Sequence, residues 1–201
     1  MSWQQEQDEV INYGPILPKK GVKLEIGAAI SATWKVKEEA DGGAPGHAGE
    51  EYPAMKLTLE IKDEQVQTEG EHIRPRLTIE HQLNLARYPF LSKKDGSAQW
   101  MGRTGLYGLE ESLGFEPVFV NGGGQRVDPF ITKAGRKVAP KGDNIKRQLN
   151  PDFTQAFFNA DGSPNLEWAG KTVYGDVEVE RSEKFGDRNV VTRFVAAPVS
   201  L

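Results

Sequence analysis

The chain has 201 residues and a net charge of −4, with 37% apolar residues, 22 glycines, 12 prolines and no cysteine. That length allows one domain with a sizeable core, or a small domain carrying long loops. Without cysteine there are no disulfides, thiolate metal sites or cysteine nucleophiles, and with no apolar run of membrane-spanning length and no charged-then-apolar leader a soluble cytoplasmic protein is expected.

Residues 1–20 read as an acidic, glutamine-rich lead-in that ends in an extended stretch around Pro15 and Pro18. They are expected to be flexible, ahead of a single domain over residues 21–201. The first strand then places Val22, Leu24, Ile26, Ala28, Ile30, Ala32, Trp34 and Val36 on even positions, opposite Lys23, Glu25, Ser31, Thr33 and Lys35. A period of two predicts a half-buried strand with Trp34 in the core, and Gly27 marks a bend or bulge. Residues 38–51 read as a mobile loop rich in Gly, Ala, Asp and Glu.

Met55, Leu57, Leu59 and Ile61 form the apolar face of a second strand, and a polar turn over 63–70 leads to a third. The third carries Ile73, Leu77, Ile79, Leu83 and Leu85 on one face and Arg74, Arg76, Thr78, Glu80, Gln82 and Asn84 on the other. Pro75 puts its start at an edge or bulge. His81 falls on the inward face and reads as a hydrogen-bonded core histidine; neither it nor His47 or His72 has a partner spaced for zinc.

Residues 97–113 change period. Trp100, Met101, Leu106, Leu109 and Leu113 fit a helix with Ser97 as N-cap and Gly114 as stop, despite Gly102, Gly105 and Gly108. This helix is expected to plug one end of a barrel. Residues 121–151 form a basic insertion: Asn121 to Ala160 holds 7 Lys/Arg against 3 Asp/Glu in an otherwise acidic chain. A short hairpin is expected around Ala134-Gly135. Two β-branched arms, Trp168–Glu180 and Asn189–Val195, then surround the turn pair Gly186-Asp187 and predict a closing hairpin. Five strands with a helix between the third and fourth is the order of a five-stranded OB-fold (Greek-key) barrel, so the predicted class is mainly β.

Three segments carry a family resemblance: Tyr52-Pro53-Ala54-Met55-Lys56-Leu57-Thr58-Leu59-Glu60, the helix from Trp100 to Leu113, and Trp168-Ala169-Gly170-Lys171-Thr172-Val173-Tyr174-Gly175-Asp176-Val177-Glu178-Val179. The last runs on to Lys184-Phe185-Gly186-Asp187-Arg188-Asn189. Over roughly Val22 to Ala197, interrupted by the basic insertion, the chain resembles a family of bacteriophage-encoded proteins, mostly uncharacterised, that are similar to OB-fold single-stranded-DNA-binding proteins. The resemblance implies a place in phage or mobile-element DNA replication or recombination, inside a bacterial host cell.

Gly170-Lys171-Thr172 imitates a phosphate loop, but Asn165 stands where its first glycine is needed and a strand follows instead of a helix. No nucleophile turn or paired carboxylates stand out, so the expectation is a non-catalytic protein without metal or cofactor. Gripping single-stranded DNA takes cations that follow phosphates and aromatic faces that stack bases. The candidates are Lys56, Arg74 and Arg76 on the second and third strands, and Lys171 and Tyr174 at the start of the closing hairpin. Arg181, Lys184, Phe185 and Arg188 add its tip, with Arg136 and Lys137 in the insertion as an electrostatic arm. Phage replication or recombination proteins and a second copy of the chain are further expected partners. The alternative is a phage structural or interaction module whose basic insertion docks an acidic partner.

Overall fold

The computed structural model describes residues 14–70, 78–86, 88–92, 95–99, 101–133, 137–142, 144–183 and 186–198. In chain order its strands and helices begin with β1 (Lys19–Lys35), β2 (Glu51–Ile61), β3 (Thr78–Asn84), β4 (Phe90–Leu91), β5 (Ala98–Gln99) and α1 (Met101–Ser112). There follow β6 (Val118–Val120), β7 (Arg126–Val127), β8 (Phe130–Ile131), β9 (Lys137–Val138), β10 (Lys146–Gln148), α2 (Pro151–Phe157), β11 (Thr172–Glu180) and β12 (Arg188–Val195). The protein is mainly β. One antiparallel sheet in the order β12-β11-β1-β2-β3 dominates it.

The inner face of that sheet is built from the apolar positions of each strand. Leu24, Ile26, Met55, Leu57, Leu59, Ile79, Val173 and Val177 are all essentially inaccessible, each contributing about 1.5–3 kcal/mol by leaving water. Leu106 and Leu109 of α1, Phe153 and Phe157 of α2, and Trp168 complete the core. Ile16 is also fully buried, its amide donating to Asn189 Oδ1 while Asn189 Nδ2 donates to its carbonyl, both at 2.9 Å. The ordered domain therefore begins before residue 21, and the stretch expected as flexible lead-in is at its end part of the core.

The hydrogen-bonded ladders among the described residues do not show the expected closed barrel. Edge strands β3 and β12 approach one another, with the His81 and Phe194 rings 4.9 Å apart. Among the described residues no hydrogen-bonded ladder joins them. Helix α1 packs against both edges instead. Its glycines explain the close fit: a Cβ on Gly108 would sit 2.8 Å from the Phe194 carbonyl oxygen, and one on Gly105 would sit 3.1 Å from Leu83 Cδ2. Ser97 does not cap this helix; β5 intervenes, and Ser97 Oγ bonds Asp95 at 2.7 Å.

A second correction concerns β1. Pairing with β2 shifts between Ile26 and Ala28, so Gly27 is the extra residue of a bulge. Before it Leu24 and Ile26 face the core; after it Ile30 opposes Lys56, Ala32 opposes Ala54 and Trp34 opposes Tyr52, all on the outer face. One extra residue inverts every side chain beyond it. Ile30 is 57% exposed, and Trp34 leaves the core for the other side of the sheet.

The basic insertion is folded. β7 and β10 flank β6 in a three-stranded sheet, and β8 pairs antiparallel with β9; the turn expected at Ala134-Gly135 lies outside the described residues. Arg147 fastens it to α1: its guanidinium bonds Glu110 Oε1 at 3.1 Å, pairs with Glu111 and lies 4.5 Å over the Tyr107 ring. Glu110, wholly buried, also accepts from the Asn150 amide at 2.7 Å. Asn150 in turn caps α2 by accepting from the Asp152 amide at 2.8 Å.

Candidate nucleic-acid interface

The bulge at Gly27 creates a lane across the outer sheet face. Cross-strand pairing places Ile30, Lys56 and Gln82 in one row, and Ala32, Ala54 and Asn84 in the next. The lane ends on Trp34, whose ring meets Tyr52 edge-on at 6.1 Å. Tyr52 packs in turn on Phe90 at 5.7 Å, and the segment after β3 brings Tyr88 beneath His47, stacked at 4.0 Å and 7°. His47 Nδ1 is held at 2.9 Å by Glu50. Residues 38–51, expected as a mobile loop, thus carry a buried Ala44 and one wall of an aromatic cluster. Burial raises the phenol pKa of Tyr52 and of Tyr88, assisted by each phenol's negatively ionising neighbour, so both rings stay neutral.

Sequence reasoning missed this cluster because its members come from three separated segments. The signal that could have located Ile30 and Trp34 was Gly27, read as a parity switch and not as a bend alone.

The expected cations fare unequally. Lys56 lies in the lane, with Glu80 Oε2 at 3.7 Å, both side chains well exposed. Arg181 is held by Asp187 at 2.6 Å and Glu69 at 2.9 Å, and Arg188 by Glu180 at 2.6 Å. Lys137 pairs with Glu116. Lys171 has no ion-pair partner among the described residues, nor do Arg126, Lys133, Lys141 and Lys146 in the insertion. Tyr174 is half-buried on the outer face opposite Lys23, with its backbone tied to Ser112. Arg74, Arg76, Arg136, Lys184 and Phe185 lie outside the described residues.

The loop at Gly170-Lys171 cannot cradle a phosphate. The Gly170 amide donates to the Ile26 carbonyl at 2.7 Å and the Lys171 amide to the Trp168 carbonyl at 3.1 Å, so the donors are spent on closing a turn against the bulge. Gly170 stands at φ +79°, which a turn requires and only glycine adopts freely.

His81 lies on the inner face of β3, as its position predicts. Burial holds its imidazole below the usual histidine pKa, against a smaller opposing effect from a hydrogen bond to the Val191 backbone. No group of three or more His, Asp or Glu among the described residues is placed to hold a metal ion, and no described helix is long and apolar enough to cross a membrane. Comparison with protein-family models, with curated proteins and with solved structures finds no match.

Proposed function

We propose that the chain is a non-catalytic single-stranded-DNA-binding protein, acting in phage or mobile-element replication or recombination, and that its sheet is an OB-type barrel left open at one seam. The observation that carries the reading is the lane of Ile30, Trp34 and Lys56, brought together on one sheet face by the Gly27 bulge. An exposed isoleucine and a half-exposed tryptophan beside a lysine leave apolar surface in water where a base could stack and a phosphate could sit. The strand order β12-β11-β1-β2-β3, with α1 between the third and fourth long strands, supports the barrel relationship. OB-folds bind oligonucleotides on the face of their second and third strands, and here that is the face of the lane.

Fluorescence anisotropy with labelled oligo-dT tests the proposal. Binding is expected at low salt, weakening as salt rises through loss of counterion release. Trp34→Leu should weaken it about 5-fold or more, the lower range of one stacked base, while Trp34→Phe keeps most of the affinity. Absence of binding at low salt, or affinity indifferent to salt, overturns it.

A second reading has its own observation. The β8–β9 pair exposes Phe130 at 61% and Ile131 at 59%, close in sequence to Lys133 and Lys141, which have no ion-pair partner among the described residues. An apolar and cationic surface of this kind suits an acidic protein partner. Phe130→Ser abolishing a stoichiometric protein complex, with oligo-dT affinity unchanged, would favour that reading.

A further inference from the structure

The seam between β3, α1 and β12 holds a cleft of about 700 Å³, within the range of small-molecule sites. Three carboxamides line it: Gln82 and Asn84 on β3, and Gln99 delivered by the β4–β5 hairpin. Gln82 and Gln99 make no side-chain hydrogen bond to any described residue, and Asn84 spends only its Oδ1, accepting from the Ala86 amide at 2.8 Å. Each free carboxamide offers two donors and an acceptor in one plane.

The remaining walls are neutral and flat. Gly105 and Gly108 contribute helix surface without side chains, and Phe194 contributes a ring. Burial holds His81 below the usual histidine pKa, and its ring stands edge-on to that of Phe194 at 4.9 Å. Among the described residues no carboxylate lines the cleft, and the one cation there, Arg193, is paired with Asp176 at 2.7 Å. An anionic ligand would find no uncommitted cation there, and a cationic one no acid. A neutral, planar molecule with several donors and acceptors fits this lining.

The position of the cleft narrows the choice further. Gln82 stands in the same cross-strand row as Ile30 and Lys56, and Asn84 in the row of Ala32 and Ala54. The lane across the outer face therefore runs into the mouth of the cleft. We propose that the seam cleft receives one nucleobase of the bound strand, with the carboxamides of Gln82, Asn84 and Gln99 hydrogen-bonding its edge. This rests on the single-strand-binding reading and adds base preference to it. Stacking on Trp34 accepts any base, whereas amide pairing discriminates among them.

Two measurements on the whole chain test it. In the first, titration with the four free nucleosides is followed by NMR. The side-chain amides of Gln82 and Gln99 and the ring protons of Phe194 should shift with at least one of them. In the second, the four homopolymer oligonucleotides are compared by anisotropy. The wild-type chain should prefer one by about 5-fold or more, the lower end of amide–base discrimination. In Gln82→Ala/Gln99→Ala that preference should fall below about 2-fold. Equal binding of all homopolymers, a preference untouched by the double variant, or nucleoside shifts confined to Trp34 and its neighbours would each overturn the inference. Cleft shifts with nucleosides but no oligonucleotide binding would overturn the single-strand-binding proposal and leave the base site standing.

Discussion

Single residues decide how the sheet is fastened. Arg147 neutralises Glu110, which burial drives to a raised pKa even though the Asn150 amide and Arg147 pull the other way. Arg147→Met leaves a buried carboxylate uncompensated and should cost about 3–5 kcal/mol of unfolding free energy in denaturant melts. Glu110→Leu/Arg147→Met should recover most of that loss, because the apolar pair carries no desolvation penalty. Asp176 behaves oppositely. Burial works to raise its pKa, but hydrogen bonds from Arg193 and the Gly21 amide outweigh it, and the net shift is down from 3.8. A carboxyl depressed on folding contributes stability that is complete above its unfolded value and is lost as pH falls through the folded one. Asp176→Asn should therefore be less stable than wild type at pH 6, with the gap closing below about pH 3.8 in urea melts. In the lane, Glu80 stands 3.7 Å from Lys56, where under the proposed function it would compete with phosphate. Glu80→Gln should tighten oligo-dT binding up to about 5-fold at low salt, an effect that fades as ionic strength rises.

At the scale of elements, helix α1 and the bulge of β1 carry the consequences of glycine. Glycine costs a helix interior about 1 kcal/mol relative to alanine, so three of them in α1 argue against a helix on propensity alone. For Gly105 and Gly108, placement against β3 and β12 supplies the reason. Gly108→Ala pushes a Cβ to 2.8 Å from a backbone oxygen that cannot rotate away, and should destabilise by about 1–3 kcal/mol. Gly105→Ala meets only the mobile end of Leu83 at 3.1 Å, so its gain in helix propensity should leave it near neutral. Thermal melts of the two variants separate a packing role from a propensity cost. Deleting Gly27 puts Ala28 directly after Ile26, opposite the consecutive Thr58 and Leu59, so the ladder should run on without a bulge, and Ile30 and Trp34 should keep the outer face with the native Trp34 fluorescence preserved.

At the scale of the whole molecule, the distribution of charge reshapes the expected interface. The closing hairpin is cationic in sequence, yet Arg181 and Arg188 answer to Asp187, Glu69 and Glu180 in space. The insertion, anchored by Arg147 and not trailing as a free arm, keeps Arg126, Lys133, Lys141 and Lys146 unpaired among the described residues. Period and turn chemistry alone located the five long strands, the α1 segment, the inward His81 and the closing hairpin, because alternation and glycine-bearing turns are local signals. The burial of Phe153 and Phe157 on a helix capped by Asn150 was not visible in the same way. What tertiary structure alone decided is which face each residue reaches and which charge meets which. The bulge turns Trp34 outward, α1 takes the place of a closing ladder, and three distant segments assemble the aromatic cluster and the seam cleft. Those outcomes depend on registers and approaches between strands far apart in the chain, and a local pattern fixes the period of a strand without fixing where its phase is broken.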